Sequence, residues 1–374
     1  MQIGQFCWNL ETGWAEPPAF AQQANLVLAF ADAAYFCLPE CYQELRAMFP
    51  AAHIAGCSSS GSILGTHISD GDIVVTAIAF ERGQVKIVRA EVLPGEDLEG
   101  LAAGMMMRLE SEGLRHAFVL SDGLSVNGSD LARGLNSTGI SVTGGLAGDG
   151  ARFASTWVMA DAPAAQNVVA ILGFYGALEA KCGCVAGWRE FGAERLVTRS
   201  SGNVVFEIDY EPALSIYIKY LGEMARDLPG SGLRFPLSIH DSEQDEPVIR
   251  TLLAVDSKAQ SLTFAGDVPQ GCYCRLMKTD VDSLIDGSGI AADAARPSGA
   301  DKAGLCLVVS CVGRRLVMGQ LTEEELDIVQ ERLGPLFSIA GFYSYGELAP
   351  FSNVDRCRLH NQTMTLTTLS EILP

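Results

Sequence analysis

SCVGRR (310–315), GFYSYGELAPF (341–351) and LHNQTMTLTTL (359–369) are the segments on which the interpretation of this sequence depends. Two apolar, strand-like runs bracket aromatic, glycine and polar residues, and His360 lies at the start of the last run. Apolar walls around a few orienting polar groups are typical of small-molecule cavities. No acid/base pair forms an obvious catalytic motif here, so the segments indicate a binding protein rather than an enzyme.

The composition indicates a folded, acidic protein. The chain has 374 residues, 48% of them hydrophobic and 19% charged, which favours two domains with filled interiors. Its formal net charge of −19 repels phosphate backbones and anionic lipids, so nucleic-acid binding and membrane attachment are disfavoured. Neither a secretion signal nor a membrane-spanning run is evident, and we therefore expect a soluble, cytoplasmic protein.

The cysteines are expected to be reduced. Eleven is an odd number, and a chain of this size does not need disulfides to hold its fold. Cys182 and Cys184 form a C-x-C pair, as do Cys272 and Cys274. On a strand both sulfurs of such a pair lie on one face, which suits a metal or simple core packing. We favour core packing, because free cysteine is among the most often buried residues.

Alternating strand and helix patterns predict an α/β fold. Apolar runs at 73–80 and 85–92 resemble a hairpin, and so do runs at 196–198 and 204–208 around Ser201-Gly202-Asn203. Hairpins require antiparallel pairing, so we expect mixed, partly antiparallel sheets layered with helices. Thr322-Glu-Glu-Glu325 predicts a capping box at the start of a helix.

The chain is expected to form two similar-sized α/β domains. RDLPGSG at 226–232 is the best linker candidate, and the boundary falls near it. We place a lead-in at 1–24, a first domain at 25–215 and a second domain at 216–370. No short tandem repeat is evident.

Two possible reactive sites have weak support. GGLAGD at 144–149 matches neither the Walker nor the dinucleotide fingerprint, so its glycines indicate tight turning of the backbone. Cys57 and His53 would share one face of a strand, which makes a nucleophile–base dyad conceivable. No nucleophile motif surrounds Cys57, and a buried structural thiol is the expected alternative.

The histidines and arginines leave several roles open. None of the five histidines is spaced for a multi-histidine metal site. His67 or His360 could each serve as a single axial ligand of haem iron, although a merely hydrogen-bonded histidine is the ordinary alternative. Arg314 and Arg315 would suit anion recognition, or an ion pair with Glu347, or an ordinary turn at a strand end.

The motifs resemble a known family. IAGCSSSGSI (54–63), DGDIVVTAIAF (70–80) and SVTGGLAGDG (141–150) resemble the N-terminal FIST sensory domain. GLCLVVSCVGRRLVMG (304–319), together with the segments after Gly341, resembles the C-terminal FIST domain. The resemblance covers roughly residues 25–369, with no kinase or cyclase output domain. It departs from the expected pattern at Ser62, where an acidic residue is expected.

The resemblance implies a sensory function. Two-domain FIST proteins of this kind are similar to bacterial nitric-oxide-sensing haem proteins, which implies bound haem and regulation of a partner histidine kinase or cyclic-di-GMP enzyme. His360 is then the first choice for the haem-iron ligand and His67 the second. The alternative is an amino acid or other small metabolite bound without haem. The ligand-binding residues would be Arg314, Tyr343, Tyr345, Glu347 and Asn361. A homodimer is compatible with either hypothesis, and an enzyme using Cys57 ranks below both.

Overall fold

Strands connected by short helices make up most of the molecule. The structure, a computed structural model, describes residues 1–109, 112–240, 242, 247–298, 303–351 and 356–372. The α-helices are α1 (Ala33–Phe36), α2 (Pro39–Met48), α3 (Leu98–Arg108), α4 (Gly128–Leu135), α5 (Ala213–Leu221), α6 (Val281–Ala294), α7 (Val312–Met318) and α8 (Glu324–Leu333).

The strands are β1 (Gln2–Asn9), β2 (Gly13–Trp14), β3 (Leu26–Ala31), β4 (His53–Ser58), β5 (Ser62–Leu64), β6 (His67–Ser69), β7 (Ile73–Ala79), β8 (Gly83–Glu91), β9 (Leu114–Ser121), β10 (Val142–Leu146), β11 (Val158–Ala160), β12 (Val168–Gly176), β13 (Leu178–Val185), β14 (Arg189–Ser201), β15 (Val204–Ile208), β16 (Glu211–Pro212), β17 (Leu237–His240), β18 (Val248–Arg250), β19 (Leu252–Asp256), β20 (Ser261–Phe264), β21 (Tyr273–Lys278), β22 (Gly304–Cys311), β23 (Phe337–Ser344), β24 (Gly346–Ala349), β25 (Arg358–His360) and β26 (Met364–Glu371).

Three of the sheets repeat one strand order. Sheet 1 runs β11-β4-β3-β7-β1-β2, sheet 2 runs β25-β24-β10-β9-β12-β8, and sheet 3 runs β6-β5-β23-β22-β26-β13. Each contains one parallel pair, β3 with β4, β9 with β10, or β22 with β23, and their other pairings are antiparallel. A parallel pair needs a crossover connection. Helices α1 and α2, then α4, then α7 and α8 supply the three crossovers.

We number as units one, two and three the parts of the chain that form the parallel pairs of sheets 1, 2 and 3. In each unit, a strand that follows the parallel pair joins a neighbouring sheet. The strand after β4 is β5, which pairs with β23 of sheet 3. The strand after β10 is β11, which pairs with β4 of sheet 1, and the strand after β23 is β24, which pairs with β10 of sheet 2. The exchange is cyclic, so the three units form an internal threefold repeat. The ammonium of Met1 lies 2.6 Å from the Glu371 carboxylate, which brings the two ends of the repeat together.

The core follows from the alternation of side chains along the central strands. In β3, Leu28 and Phe30 pack inward against residues of β9 and β22, whereas Val27 and Ala29 pack outward beneath α2. Phe30 stacks on Phe342 with ring centroids 5.0 Å apart. Helices α3 and α4 cover the outer face of sheet 2, and α6 and α8 cover that of sheet 3. Burial on both faces explains why these strands are almost uninterrupted apolar runs.

A fourth sheet is inserted into this arrangement. It runs β18-β17-β21-β14-β15-β20-β19, with β16 paired to β15, and α5 packs on it. We call residues 189–278, which hold this sheet and α5, the module, and we call the three sheets with the remaining α-helices the body. No helix of the described residues has both the length and the apolar character needed to cross a membrane.

The predicted mixed α/β class, with partly antiparallel sheets, is confirmed. The hairpin expected at 196–198 and 204–208 is present as β14 and β15. The hairpin expected at 73–80 and 85–92 is wrong, because β7 lies in sheet 1 and β8 in sheet 2. The capping box is also wrong, since α8 has Glu323 as its N-cap with no side-chain hydrogen bond. The Thr322 hydroxyl donates instead to the Gly319 carbonyl.

The predicted boundary between residues 215 and 216 stays a prediction about the family domains. In space, sheets 2 and 3 each combine strands from both sides of it. β24 and β25 complete the sheet that contains β8, β9, β10 and β12, while β5 and β6 extend the sheet that contains β22 and β23. The two predicted segments are therefore interleaved in the body.

Candidate functional site

The connections that follow the parallel strands of the three units meet at one place. The Ser60 N–H donates to the Tyr343 carbonyl at 2.8 Å, and the Gly148 N–H donates to the Ser58 carbonyl at 3.0 Å. The Tyr345 N–H donates to the Leu146 carbonyl at 3.1 Å. Carboxyl ends of parallel strands are a common place for ligand sites in α/β proteins. Here the inserted module covers part of this region and creates a cavity.

An apolar cavity of about 520 Å³ lies between the module and the body. Its size is within the range typical of small-molecule sites. We call it the apolar cavity, and its lining residues are Leu124, Ala151, Phe153, Pro229, Gly230, Leu233, Thr251, Leu252, Leu253, Ala265, Cys311, Val312, Gly313, Leu316 and Tyr345. No charged side chain is among them, so the cavity suits an apolar group.

A second cavity of about 460 Å³ adjoins the first and is more polar. Tyr345, Phe153, Leu253, Leu124 and Ala265 line both. We call the second cavity the polar groove. It adds Ser125, Asn127, Asn203 and Asp267 to the wall. A ligand with an apolar body and a polar end could therefore occupy both spaces at once.

Tyr345 stands where the two spaces meet. Its ring stacks on Phe153 with centroids 4.5 Å apart and planes 12° from parallel. Its hydroxyl donates to Asp149 and accepts from the Phe153 N–H at 3.3 Å. Burial and the neighbouring carboxylate raise the pKa of the Tyr345 hydroxyl, so the phenol stays protonated. The hydrogen bond from Tyr345 of unit three to Asp149 of unit two therefore fixes this part of the cavity wall.

Asp149 holds the loop that carries Phe153. Its carboxylate accepts from the N–H groups of Phe153, Ala154 and Ser155 at 2.9, 2.8 and 2.8 Å. Burial alone would raise the pKa of this carboxyl, but the Tyr345 hydroxyl and the three N–H donors hold the pKa below its ordinary value. The ionised carboxylate is therefore the form that organises this loop.

We expect Asp149→Asn to destabilise the protein by about 1–3 kcal/mol at pH 7, because an amide offers one acceptor oxygen in place of two. The folded pKa of Asp149 is lower than the unfolded value of about 3.9, so its carboxylate contributes stability above that pH and loses it as the pH falls. The difference in the free energy of unfolding between wild type and variant should therefore become smaller at acid pH. Urea unfolding at neutral and acid pH measures this difference.

Asp227→Asn is the control for this prediction, since Asp227 is an exposed aspartate of the module. We expect the free energy of unfolding of Asp227→Asn to equal that of wild type at both pH values. A difference for Asp149→Asn that stays constant across the pH range would contradict the proposed role of the carboxylate.

The two candidate haem ligands lie in different environments. His360 is fully buried, and its Nε2 lies 2.9 Å from the Ala349 carbonyl. That geometry assigns the proton to Nε2, and Nδ1 has no hydrogen-bond partner within the described residues. Burial lowers the pKa of His360 to about 4, so its ring is neutral. The His67 side chain is 84% exposed, with its Nδ1 3.7 Å from Glu323.

These two positions do not fit a haem as they stand. Neither histidine lines the apolar cavity or the polar groove. The Phe351 ring meets the His360 ring edge-on at 4.3 Å. An axial ligand needs an open face beside its free nitrogen. The part of the chain that the structure describes contains no cluster of three or more histidine, cysteine or acidic side chains able to hold a metal.

Of the five predicted ligand-binding residues, Tyr345 lines both spaces, and the other four line neither. Arg314 is fully buried, and its guanidinium pairs with Glu325 at 2.8 Å rather than with Glu347. Tyr343 donates its hydroxyl to the other oxygen of Glu325 at 2.7 Å. Sequence reasoning missed this role of Glu325, because the capping-box interpretation placed the residue at a helix start.

Glu347 and Asn361 are buried behind the cavity wall. Glu347 accepts from the Ser344 hydroxyl and from the N–H and hydroxyl of Thr363, and burial raises its pKa to about 7. The Asn361 Oδ1 accepts from the Thr251 N–H at 3.5 Å. Within the described ranges, Asn361 Nδ2 and Thr251 Oγ1 have no partner. Thr251 was missed by sequence reasoning, and it brings an unsatisfied hydroxyl to the apolar cavity.

The cysteines lie mainly in the interior. Cys57 belongs to the inner core, where burial raises the pKa of its thiol well above the ordinary value. His53 faces Asp161 instead, with Nδ1 2.6 Å from the carboxylate. All four cysteines of the two C-x-C pairs are buried and remain thiols rather than disulfides. The Ser62 hydroxyl, at the position where an acid was expected, hydrogen-bonds the Ser59 hydroxyl at 2.7 Å.

Comparison with known proteins gives two family matches. The FIST N domain matches residues 25–211, and the FIST C domain matches residues 213–350. None of the curated proteins matches the chain significantly. Among solved structures, a chorismatase crystal structure aligns over 100% of both chains with 9% sequence identity and a TM-score of 0.36.

Proposed function

The chain belongs to the FIST family, whose domains act as small-ligand-sensing modules in signalling, and we propose that its ligand binds in the apolar cavity between module and body. The observation that carries this proposal is the position of the cavity, since its wall combines residues of both parts. Binding there can favour one arrangement of module and body over another, which is what a sensor requires.

The chemistry of the two spaces defines the ligand. An apolar or aromatic body would fill the apolar cavity, where burial of apolar area contributes about 25 cal/mol per Å². A polar head would lie in the polar groove near the Tyr345 hydroxyl, the Asn203 amide and the Asp267 carboxylate. An ammonium group would be attracted to Asp267. A hydrophobic amino acid has this combination of parts, and L-phenylalanine is a suitable first probe.

The signal would be passed to a partner protein. FIST domains are in general non-enzymatic signalling modules, and we propose that this chain likewise acts without catalysis, on a histidine kinase or a cyclic-di-GMP enzyme. The described residues of the cavity wall fit this proposal, since none of them places a base beside a nucleophile. Cys311 lines it, but burial raises the pKa of that thiol far above its ordinary value.

Haem with nitric oxide as the signal stays a second prediction. It is supported by the His360 Nδ1 lone pair, which has no hydrogen-bond partner in the described residues and lies on a neutral ring. Binding of a haem at this position would require the Phe351 side chain to move. His67, on the surface beside Glu323, has less support.

One set of titrations tests both candidates. We expect L-phenylalanine and L-leucine to raise the midpoint of thermal unfolding in a saturable manner, and L-aspartate and L-lysine to leave it unchanged. We expect haemin to give only a broad, non-saturable absorption. A sharp Soret band that His360→Ala removes and His67→Ala leaves intact would replace the amino-acid proposal with the haem one. Failure of every probe to bind would contradict both.

A further inference from the structure

A third cavity, of about 320 Å³, concentrates positive charge in a strongly acidic protein. We call it the arginine groove. Arg133 from α4 and Arg358 from β25 contribute to its wall from the body, and Arg250 and His240 contribute from the module. Among the described residues of its wall, Asp267 is the acidic one. Three arginines around one cavity, against a net charge of −19, indicate a site for an anion.

Arg250 is the unusual member of this group. Its side chain is buried, with the residue only 6% exposed. Nε donates to the Asp267 carbonyl at 2.9 Å, and Nη1 donates to the carbonyls of Ile249 and Leu359 at 3.1 and 3.0 Å. Burial lowers its pKa to about 10, so the guanidinium is still charged at neutral pH. The Asp267 carboxylate favours the charged form of Arg250 but makes no ion pair with it among the described residues, so a bound anion would offset part of the cost of burying this cation.

The position of the guanidinium is fixed by its surroundings. A side chain at Gly266 would place its Cβ 3.0 Å from Arg250 Nε, so the glycine leaves the room that Arg250 occupies. The three carbonyls use Nε and Nη1, and among the described residues Nη2 has no acceptor and Arg250 has no carboxylate at ion-pairing distance. The Nη2 group, whose position is fixed by the hydrogen bonds of Nε and Nη1, can therefore donate to a ligand in the groove.

The other cations of the groove are more exposed. Arg133 is paired with Glu99 and Asp130. His240 lies 3.0 Å from Glu194. Arg358 is exposed at the rim of the groove. These carboxylates offset the charges of Arg133 and His240, so Arg250 is the residue of the groove that can make direct hydrogen bonds to an anion.

We propose that the arginine groove binds a carboxylate or phosphate group of a small ligand through Arg250 Nη2. The arginine groove shares none of its described lining residues with the apolar cavity, but Asp267 and Leu359 line both it and the polar groove. The titration is therefore made without an amino-acid ligand, whose ammonium group would lie at Asp267. An anion here would contact Arg250 of the module together with Arg133 and Arg358 of the body. It would therefore stabilise the present arrangement of the two parts.

Calorimetric titration of the full chain with inorganic phosphate and with malonate, at low ionic strength, tests the proposal and distinguishes the two chemistries. We expect saturable binding of at least one anion. Arg250→Met should weaken it at least about tenfold, the loss expected for one charge-assisted hydrogen bond. Arg358→Ala should weaken it several-fold. Asp267→Asn should strengthen it, because it removes the negative charge from the wall.

Arg226→Ala is the matched control, since it removes one positive charge from an exposed site of the module outside the groove. It should leave the affinity unchanged. If Arg250→Met does not fold, the opposite effects of Arg358→Ala and Asp267→Asn decide the result. The proposal is overturned if neither anion binds in a saturable manner, or if Arg226→Ala weakens binding as much as Arg358→Ala does.

Discussion

Replacement of Arg314 by methionine is expected to lower the free energy of unfolding by about 3–5 kcal/mol, the usual cost of leaving one partner of a buried ion pair alone. Both Arg314 and Glu325 have side chains with 0% exposure. The guanidinium also donates to the carbonyls of Ala186 and Leu284 at 2.7 and 2.9 Å. The variant would leave these acceptors and the Glu325 carboxylate without their donor. Urea unfolding followed by fluorescence or circular dichroism measures the change.

The hydrogen bonds of Glu325 explain why the loss of Arg314 is costly. Glu325 accepts from Ser310 at 2.9 Å and from Tyr343 at 2.7 Å, so the arginine balances a carboxylate that joins α8 to β22 and β23. Replacing both members of the pair, as in Arg314→Met with Glu325→Gln, should recover part of the lost stability, because no uncompensated charge is then buried.

Lys219→Met is the control for the Arg314 prediction. The Lys219–Glu211 pair has the short separation of 2.7 Å, but its two side chains are 64% and 54% exposed. Its loss should change stability by less than about 1 kcal/mol. If Arg314→Met were as stable as wild type and lost only ligand binding, the structural role would be wrong and the ligand role expected from the sequence would be supported.

Local sequence patterns predicted the strands better than their partners. β3, β9 and β22 are largely apolar runs, the pattern that burial on both faces of a sheet leaves in a sequence. The exchange of β5, β11 and β24 between sheets was not predictable, because each pairs with a strand far away in sequence. Hence β7 and β8 were expected to form a hairpin. The three units share their strand order but not their amino-acid sequence, so a search for tandem sequence repeats does not reveal the threefold repeat.

The candidate site was predictable only in part. The sequence pointed to the last quarter of the chain, and Tyr345 does line the apolar cavity, as do Val312, Gly313 and Leu316 of α7. The opposite wall comes from the module, including Thr251 and Ala265, and no local pattern links those residues to Tyr345. Arg314 and Glu347 carry charge, which made them natural ligand anchors. Their burial and their partners depend on tertiary packing, which composition and spacing do not encode.

Leu316→Trp is expected to weaken binding of L-phenylalanine at least about tenfold, because a larger ring would occupy the space of the apolar cavity. Leu316 lies on α7 in the cavity wall, and 46% of its surface is exposed. A half-exposed position can accept a larger side chain with a stability change of about 0.5 kcal/mol. The loss of affinity would therefore report on the cavity rather than on the fold. Calorimetric titration gives the affinity, and thermal unfolding gives the stability.

Leu321→Trp makes this test specific, because Leu321 is 49% exposed, lies five residues further along the chain and is not part of the cavity wall. The same substitution at a similar exposure should leave the affinity for L-phenylalanine unchanged. Equal losses in both variants would show that added surface indole disturbs the protein in general. Full affinity in Leu316→Trp would place the ligand elsewhere, and the cavity between module and body would no longer explain how binding alters their arrangement.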